Sequence, residues 1–233
     1  MALMQRKQAA EGGDNNIFWT TMADLLLGLA IIFMTLFVLA MTGFTQESIE
    51  QKQQQIEVSK ELVEKLKEAD IEAEVDTLTG DVKISDLELF ETGSFTLSPK
   101  GKAYLNKLAP IYINTIFSKG ELIGSIENIV IQGHTDSQTF AGIKNPDEQY
   151  MKNMTLSLER ANSIANYIFH TNFNKQYSPQ LKKILVVEGK CYSEPIIVNG
   201  KEDYAKSRRV EMRLKTKKHD ITDLLFQGVQ YHD

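Results

Sequence analysis

Residues 17–44, IFWTTMADLLLGLAIIFMTLFVLAMTGF, form the longest apolar run of the chain, and Asp24 is the one charged side chain in it. From Leu25 to Phe44 nothing ionises, which is about the length a helix needs to cross a bilayer. Residues 46–74 then lack Pro and Gly and are rich in Gln, Glu and Lys, a composition that predicts continued helix. Beyond them two periods alternate. Strand-like stretches fall at 82–90, 128–132, 184–188 and 210–214, and helical ones at 99–117, with Pro99 at the first helical position, and 153–169. Strands interleaved with helices predict a mixed sheet packed by helices. The expected fold class is therefore α+β: a short tail (1–16), a spanning helix (17–44), a helical linker (45–75), a folded domain (76–216) and a tail (217–233) whose Leu224-Leu225-Phe226 has no evident partner.

The polar residues of the span are not scattered. At 100° per residue, Thr20, Asp24, Gly28, Thr35 and Thr42 fall within an arc of about 80°. A carboxylate at mid-membrane costs roughly 2.5–3.5 kcal/mol even on the lenient insertion scale, so it faces protein or water rather than lipid. The narrow stripe predicts a helix that lines an ion path or packs on partner helices. The alternative is a span that starts at Leu25, with Asp24 marking the headgroup boundary. Phe18 and Trp19 weigh against it, because an interfacial aromatic belt there sets Asp24 one to two turns inside. The apolar run is too long for the core of a cleavable signal, so it reads as an uncleaved anchor. Arg6 and Lys7 ahead of the span favour an N-terminus in the cytoplasm and the bulk of the chain outside.

In the linker, Ile49, Ile56 and Val63 recur every seven residues, with Leu66 at a d-like spacing. Lys52 and Ser59 interrupt that seam, which leaves a weak parallel two-stranded coil, a solvated spacer or a channel plug as readings. Two copies side by side suit any of them.

Charge and composition narrow the function. The 233 residues carry a formal net charge of −5 with both signs interspersed, which gives no footprint for nucleic acid. A single cysteine, Cys191, excludes an intrachain disulfide and a cysteine-rich zinc site. His134 beside Asp136 invites a catalytic reading, but no serine or cysteine nucleophile motif accompanies them. The four histidines show no metal-ligand spacing either. No enzyme activity and no cofactor is expected.

Three polar segments sit at predicted element ends: Gly133-His134-Thr135-Asp136, the run from Asn153 to Ala161 (NMTLSLERA) and Ser207-Arg208-Arg209-Val210-Glu211. A carboxylate, an amide, a helix N-terminus and arginines together suit a zwitterion. The three segments, in this order, resemble the OmpA-type peptidoglycan-binding domain over roughly residues 82–216. That resemblance implies that Asp136 takes the amine and Arg160 the carboxylate of a diaminopimelate side chain, with Thr135, Asn153, Leu156 and Arg209 completing the pocket. The segment between Asp136 and Asn153 is longer than the family's, and Gly189-Lys190-Cys191 stands for its G-x-G.

A wall-binding domain behind one span with one carboxylate is similar to the B subunits of ion-driven stator complexes, the MotB-like proteins, whose W-x-x-x-x-D arrangement matches Trp19 and Asp24. The resemblance implies a multi-span A subunit, five A to two B, a second copy of this chain, and an Asp24 that binds and releases the permeating ion. The ion is expected to be a proton. Thr35 and Thr42 on the Asp24 face offer oxygens that would suit sodium. After the Asp the chain reads LLLGLAIIFMTLF, and it lacks a strongly basic tail. It thus looks more like the B subunit of the Zorya anti-phage system than a flagellar stator. Flagellar motility and a passive inner-membrane peptidoglycan tether are the alternatives.

Overall fold

The computed structural model describes residues 2–91 and 93–217; the predicted tail with Leu224 to Phe226 lies outside them. The chain divides into two compact units, Met1–Glu50 and Gln51–Asp233. The described residues of the first all belong to one helix, α1 (Ala2–Glu68). Helix therefore begins within the short tail, where Ala, Gln, Lys and Arg are good helix formers. Ile17–Thr42 has a mean hydropathy of 2.6 and, among the described residues, is the one helical stretch long and apolar enough to cross a membrane. Its large apolar side chains stand exposed, from Leu25 (72%) to Leu39 (68%).

The second unit opens with the last five turns of α1, residues 51–68. They are neither a free spacer nor a coil with the expected seam. Gln55, Val58, Ser59, Leu62 and Leu66 are buried, Val58, Leu62 and Leu66 within the core of the domain. These positions follow the i, i+3/i+4, i+7 rule of one helical face. Polar contacts pin the same face: Gln55 Nε2 donates to the Thr79 carbonyl at 2.7 Å and Lys65 Nζ to Thr115 Oγ1 at 3.2 Å. Of the predicted seam, Leu66 joins this domain-facing stripe, whereas Ile56 and Val63 are only half-buried and Ile49 is 56% exposed. A domain-facing stripe wins over the heptad because Val58, Leu62 and Leu66 find a preformed apolar surface, whereas Lys52 and Ser59 would break a coil.

The sheet has the order β1–β2–β7–β3–β4, from β1 (Glu74–Val75), β2 (Val82–Ser85), β3 (Ile126–His134), β4 (Leu185–Cys191) and β7 (Arg209–Thr216); β3 and β4 are parallel and the other pairs antiparallel. A separate hairpin, β5 (Ile197–Val198) and β6 (Lys201–Glu202), was not foreseen. Short helices α2 (Asp86–Leu89), α4 (Gly120–Ser125), α6 (Ser178–Ile184) and α7 (Tyr204–Ser207) join the elements. α3 (Pro99–Phe117) has the predicted bounds, with Ser98 Oγ accepting from the Gly101 amide at its N-terminus. α5 (Pro146–Ile168) starts seven residues earlier than expected, capped by Asn145 with Pro146 in the first turn. Those residues carry the start signal; the run from Asn153 is the middle of the helix, not its opening.

One sheet face packs on α3 and α5 through Val82, Ile84, Ile129, Ile131, Val210 and Met212. The other is polar, and its side chains satisfy one another. Glu188 accepts from Gln132 at 2.8 Å and Lys215 at 2.9 Å, and Arg213 Nε donates to Asp81 at 3.0 Å. Burial alone would raise the Glu188 carboxyl, but hydrogen bonds from Lys215, Gln132 and Lys190 outweigh it and hold the group at about 2.

Candidate functional site

Gly133 and Gly189 are register partners on the parallel strands β3 and β4. They form a flat saddle on which α5 rests. A Cβ on Gly133 would stand 1.9 Å from the Ser157 carbonyl oxygen, and one on Gly189 2.8 Å from Ser157 Oγ. Ser157 Oγ accepts from the Cys191 amide at 3.1 Å, and the Thr135 amide donates to the Cys191 carbonyl at 2.8 Å. This close approach brings Asn153, Leu156 and Arg160, which share one face of α5 at i, i+3 and i+7, over the sheet end where Thr135 and Asp136 leave β3.

Arg160 is the bulkiest fully buried side chain among the described residues. Its Nη1 lies 3.0 Å from Asp86 Oδ2, its Nε donates to the Ser94 carbonyl at 2.9 Å, and its guanidinium lies 5.4 Å from the centre of the Phe90 ring. Arg208 Nη1 donates to Asp136 Oδ2, while its Nε lies 3.8 Å from Asp86 Oδ1. Asp136 Oδ1 accepts from the Gln138 amide at 3.1 Å. The result is a chain of alternating charge, Arg160–Asp86–Arg208–Asp136, formally neutral and buried except for the partly exposed Arg208. Burial outweighs the two arginines and lifts the Asp86 carboxyl above the usual carboxylate range, and burial likewise lowers Arg160. Asp86 Oδ1 has no hydrogen-bond partner among the described residues.

The positions expected from the sequence divide clearly. Thr135, Asp136, Asn153 and Arg160 are buried at this end of the sheet and Leu156 is half-buried; Asn153 Nδ2 donates to the Gln149 carbonyl at 3.3 Å. Arg209 is not in the charge chain. Its Nε donates to Glu211 at 2.6 Å, and its Nη1 to the Glu194 and Ser207 carbonyls at 3.2 Å each. Consecutive residues of an extended strand point to opposite sides, so Arg208 turns to Asp136 and Arg209 to the polar sheet face. Sequence reasoning missed Asp86. Its signal was the antiparallel register of β2 on β7, which sets Ser85 opposite Arg209 and lets the Asp86 amide donate to the Arg208 carbonyl at 3.2 Å.

In the first unit, Thr20, Asp24, Gly28 and Thr35 lie on exposed helix. Thr35 Oγ1 donates to the Ile32 carbonyl at 2.8 Å, and nothing lies within 4 Å of a Cβ placed on Gly28.

The OmpA family model matches residues 89–209. Zorya protein ZorB of Escherichia coli strain Crooks is 30% identical over 221 residues, covering 90% of this chain and 92% of that one. A ZorB of Escherichia coli O139:H28 is 22% identical, covering 85% and 80%. Among solved structures, a putative MotB-like protein from Desulfovibrio vulgaris superposes with a TM-score of 0.51 at 21% identity, covering 74% of this chain and 97% of that one, a likeness of fold. The chain belongs to the OmpA family through its sheet domain and, over nearly its whole length, to the Zorya ZorB proteins.

Proposed function

We propose that this chain is the wall-anchored B subunit of a proton-driven motor of the bacterial inner membrane, acting in anti-phage defence. The observation that carries the anchoring half is the Arg160–Asp86–Arg208–Asp136 charge chain at the end of the sheet. Such a site exchanges internal ion pairs for those of a zwitterion. The ammonium of a diaminopimelate side chain takes Asp136 and the open Asp86 oxygen, and its carboxylate takes the arginines, which bind planar anions in a bidentate way. Thr135, Asn153 and Leu156 complete the pocket wall. Arg209 stays outside it and holds Glu211.

The motor half rests on family membership and on the span. The helix crosses once, with its N-terminus in the cytoplasm and the sheet domain in the periplasm. Five copies of a multi-span A subunit surround two copies of this chain, and the stripe of Thr20, Gly28 and Thr35 faces them. Asp24 takes up and releases a proton within that enclosure. One elementary charge crossing 100 mV supplies roughly 2.3 kcal/mol, enough to bias a ring between packed states.

The test is phage plaquing on cells carrying the complete operon, wild type beside Asp24→Asn and Arg160→Ala, with membrane levels of the protein followed in parallel. Protection lost in both variants at unchanged levels supports the reading. Protection indifferent to Asp24→Asn but lost with Arg160→Ala reduces the chain to a passive tether. An effect on swimming alone moves the machine to motility.

A further inference from the structure

A groove of about 300 Å³ runs beside the charge chain, walled by Phe95 and Leu97 on one side and by Ser163, Asn166 and Tyr167 of α5, with His170 just past its end, on the other. The two sites share a wall. The Ser94 carbonyl that accepts from Arg160 directly precedes Phe95, and Ser163 lies about one helical turn beyond Arg160 on the same face. Phe95 is 48% exposed, an aromatic left in solvent with no partner ring among the described residues. Tyr167 and His170 stack at 6.2 Å between centroids, with an interplanar angle of 25°. The Tyr167 hydroxyl donates to Asn106 at 3.3 Å and His170 Nδ1 lies 3.0 Å from the Asn166 carbonyl, so both rings are held in place.

We infer that this groove is a glycan subsite: it takes an N-acetylated sugar ring of the strand that carries the stem peptide. The inference rests on the peptidoglycan reading of the neighbouring charge chain, and continuity with that chain selects the occupant. A ligand whose amino acid is gripped by Arg160 and Asp136 must leave the pocket past Ser94. The lining suits a sugar: aromatic faces meet its apolar C–H face, and the Ser163 hydroxyl and Asn166 amide meet hydroxyls and the N-acetyl group. Lys102 is the one cation in the lining, and no carboxylate belongs to it, so the groove does not repeat the zwitterion site.

The test is calorimetric titration of the full chain in detergent with two probes: the disaccharide tripeptide released from sacculi by a muramidase, and the free tripeptide. Wild type should bind the disaccharide tripeptide about tenfold more tightly. Phe95→Ala, at an exposed position, should erase that difference while leaving tripeptide affinity unchanged. Ser163→Trp, which fills the groove, should do the same. Equal affinity of wild type for both probes, or equal losses for both in Phe95→Ala, overturns the glycan subsite and leaves the pocket standing. Failure of wild type to bind either probe overturns the pocket reading and the subsite with it.

Discussion

Gly133 of β3 and Ser157 of α5 are packed backbone to backbone: a methyl group on the glycine would stand 1.9 Å from the Ser157 carbonyl oxygen. Helix backbone, unlike the end of a flexible side chain, cannot step aside. Gly133→Ala should therefore lift α5 from the sheet at about 1–3 kcal/mol, lowering Tm by several degrees. Because α5 carries Arg160, sacculus binding should fall too. Thermal unfolding by near-ultraviolet circular dichroism measures the first effect, and a shift of less than a degree would show that the contact relaxes freely.

Arg160 and Asp86 form the inner link of the charge chain. Asp86→Ala leaves a buried guanidinium with the Ser94 carbonyl and no carboxylate, a change that typically costs about 3–5 kcal/mol. Asp86→Ala with Arg160→Leu should recover much of that stability, because both charges are then gone, yet still fail to bind sacculi. Urea unfolding of the single and double variants decides this. A double variant as unstable as the single would show that the pair is not where the loss arises.

The buried face of residues 51–68 makes a contrast testable within one helix. Leu62 is 1% exposed and Ile49 is 56% exposed. Leu62→Ala should cost about 2–5 kcal/mol, whereas Ile49→Ala should change stability by less than about 0.5 kcal/mol. The reverse ranking in denaturant midpoints would restore the coiled-coil seam.

Below neutral pH one residue should weaken the fold. Burial, helped by the Arg209 charge, depresses the His134 imidazole to about 4, against an ordinary 6.5. Between these values the unfolded chain takes up a proton that the folded chain refuses. Stability should thus fall as pH drops from 6.5 to 4, by about 1.4 kcal/mol per unit at most, and should not depend on this residue above 6.5. Glu188, held at about 2 against 4.5, contributes stability that is present above 4.5 and lost between 4.5 and 2, so the two windows overlap only between 4 and 4.5. His134→Gln should flatten the dependence between pH 6.5 and 4.5 in urea midpoints. An unchanged slope would place the titration elsewhere.

Local pattern alone determined the span, the α3 bounds and the presence of four main strands, because each depends on periodicity or on a signal within a few residues of its own position, as with Ser98 and Pro99. The start of α5 at Pro146 was equally local, in Asn145-Pro146-Asp147-Glu148, although the apolar pattern pointed later. Asp136 and Arg160 stood out through motif and spacing. Tertiary structure decided what lay between elements. The β2–β7 register brought Asp86 into the charge chain, and the strand's alternation sent Arg208 to Asp136 and Arg209 away. The sheet domain, lying far along the sequence, drew the Val58–Leu62–Leu66 face out of competition with the heptad seam. Each of these depends on which surface a side chain meets, and a one-residue change of register reverses it. One sequence therefore carries both kinds of information, but only packing selects among the partners that a buried charge or an amphipathic face can accept.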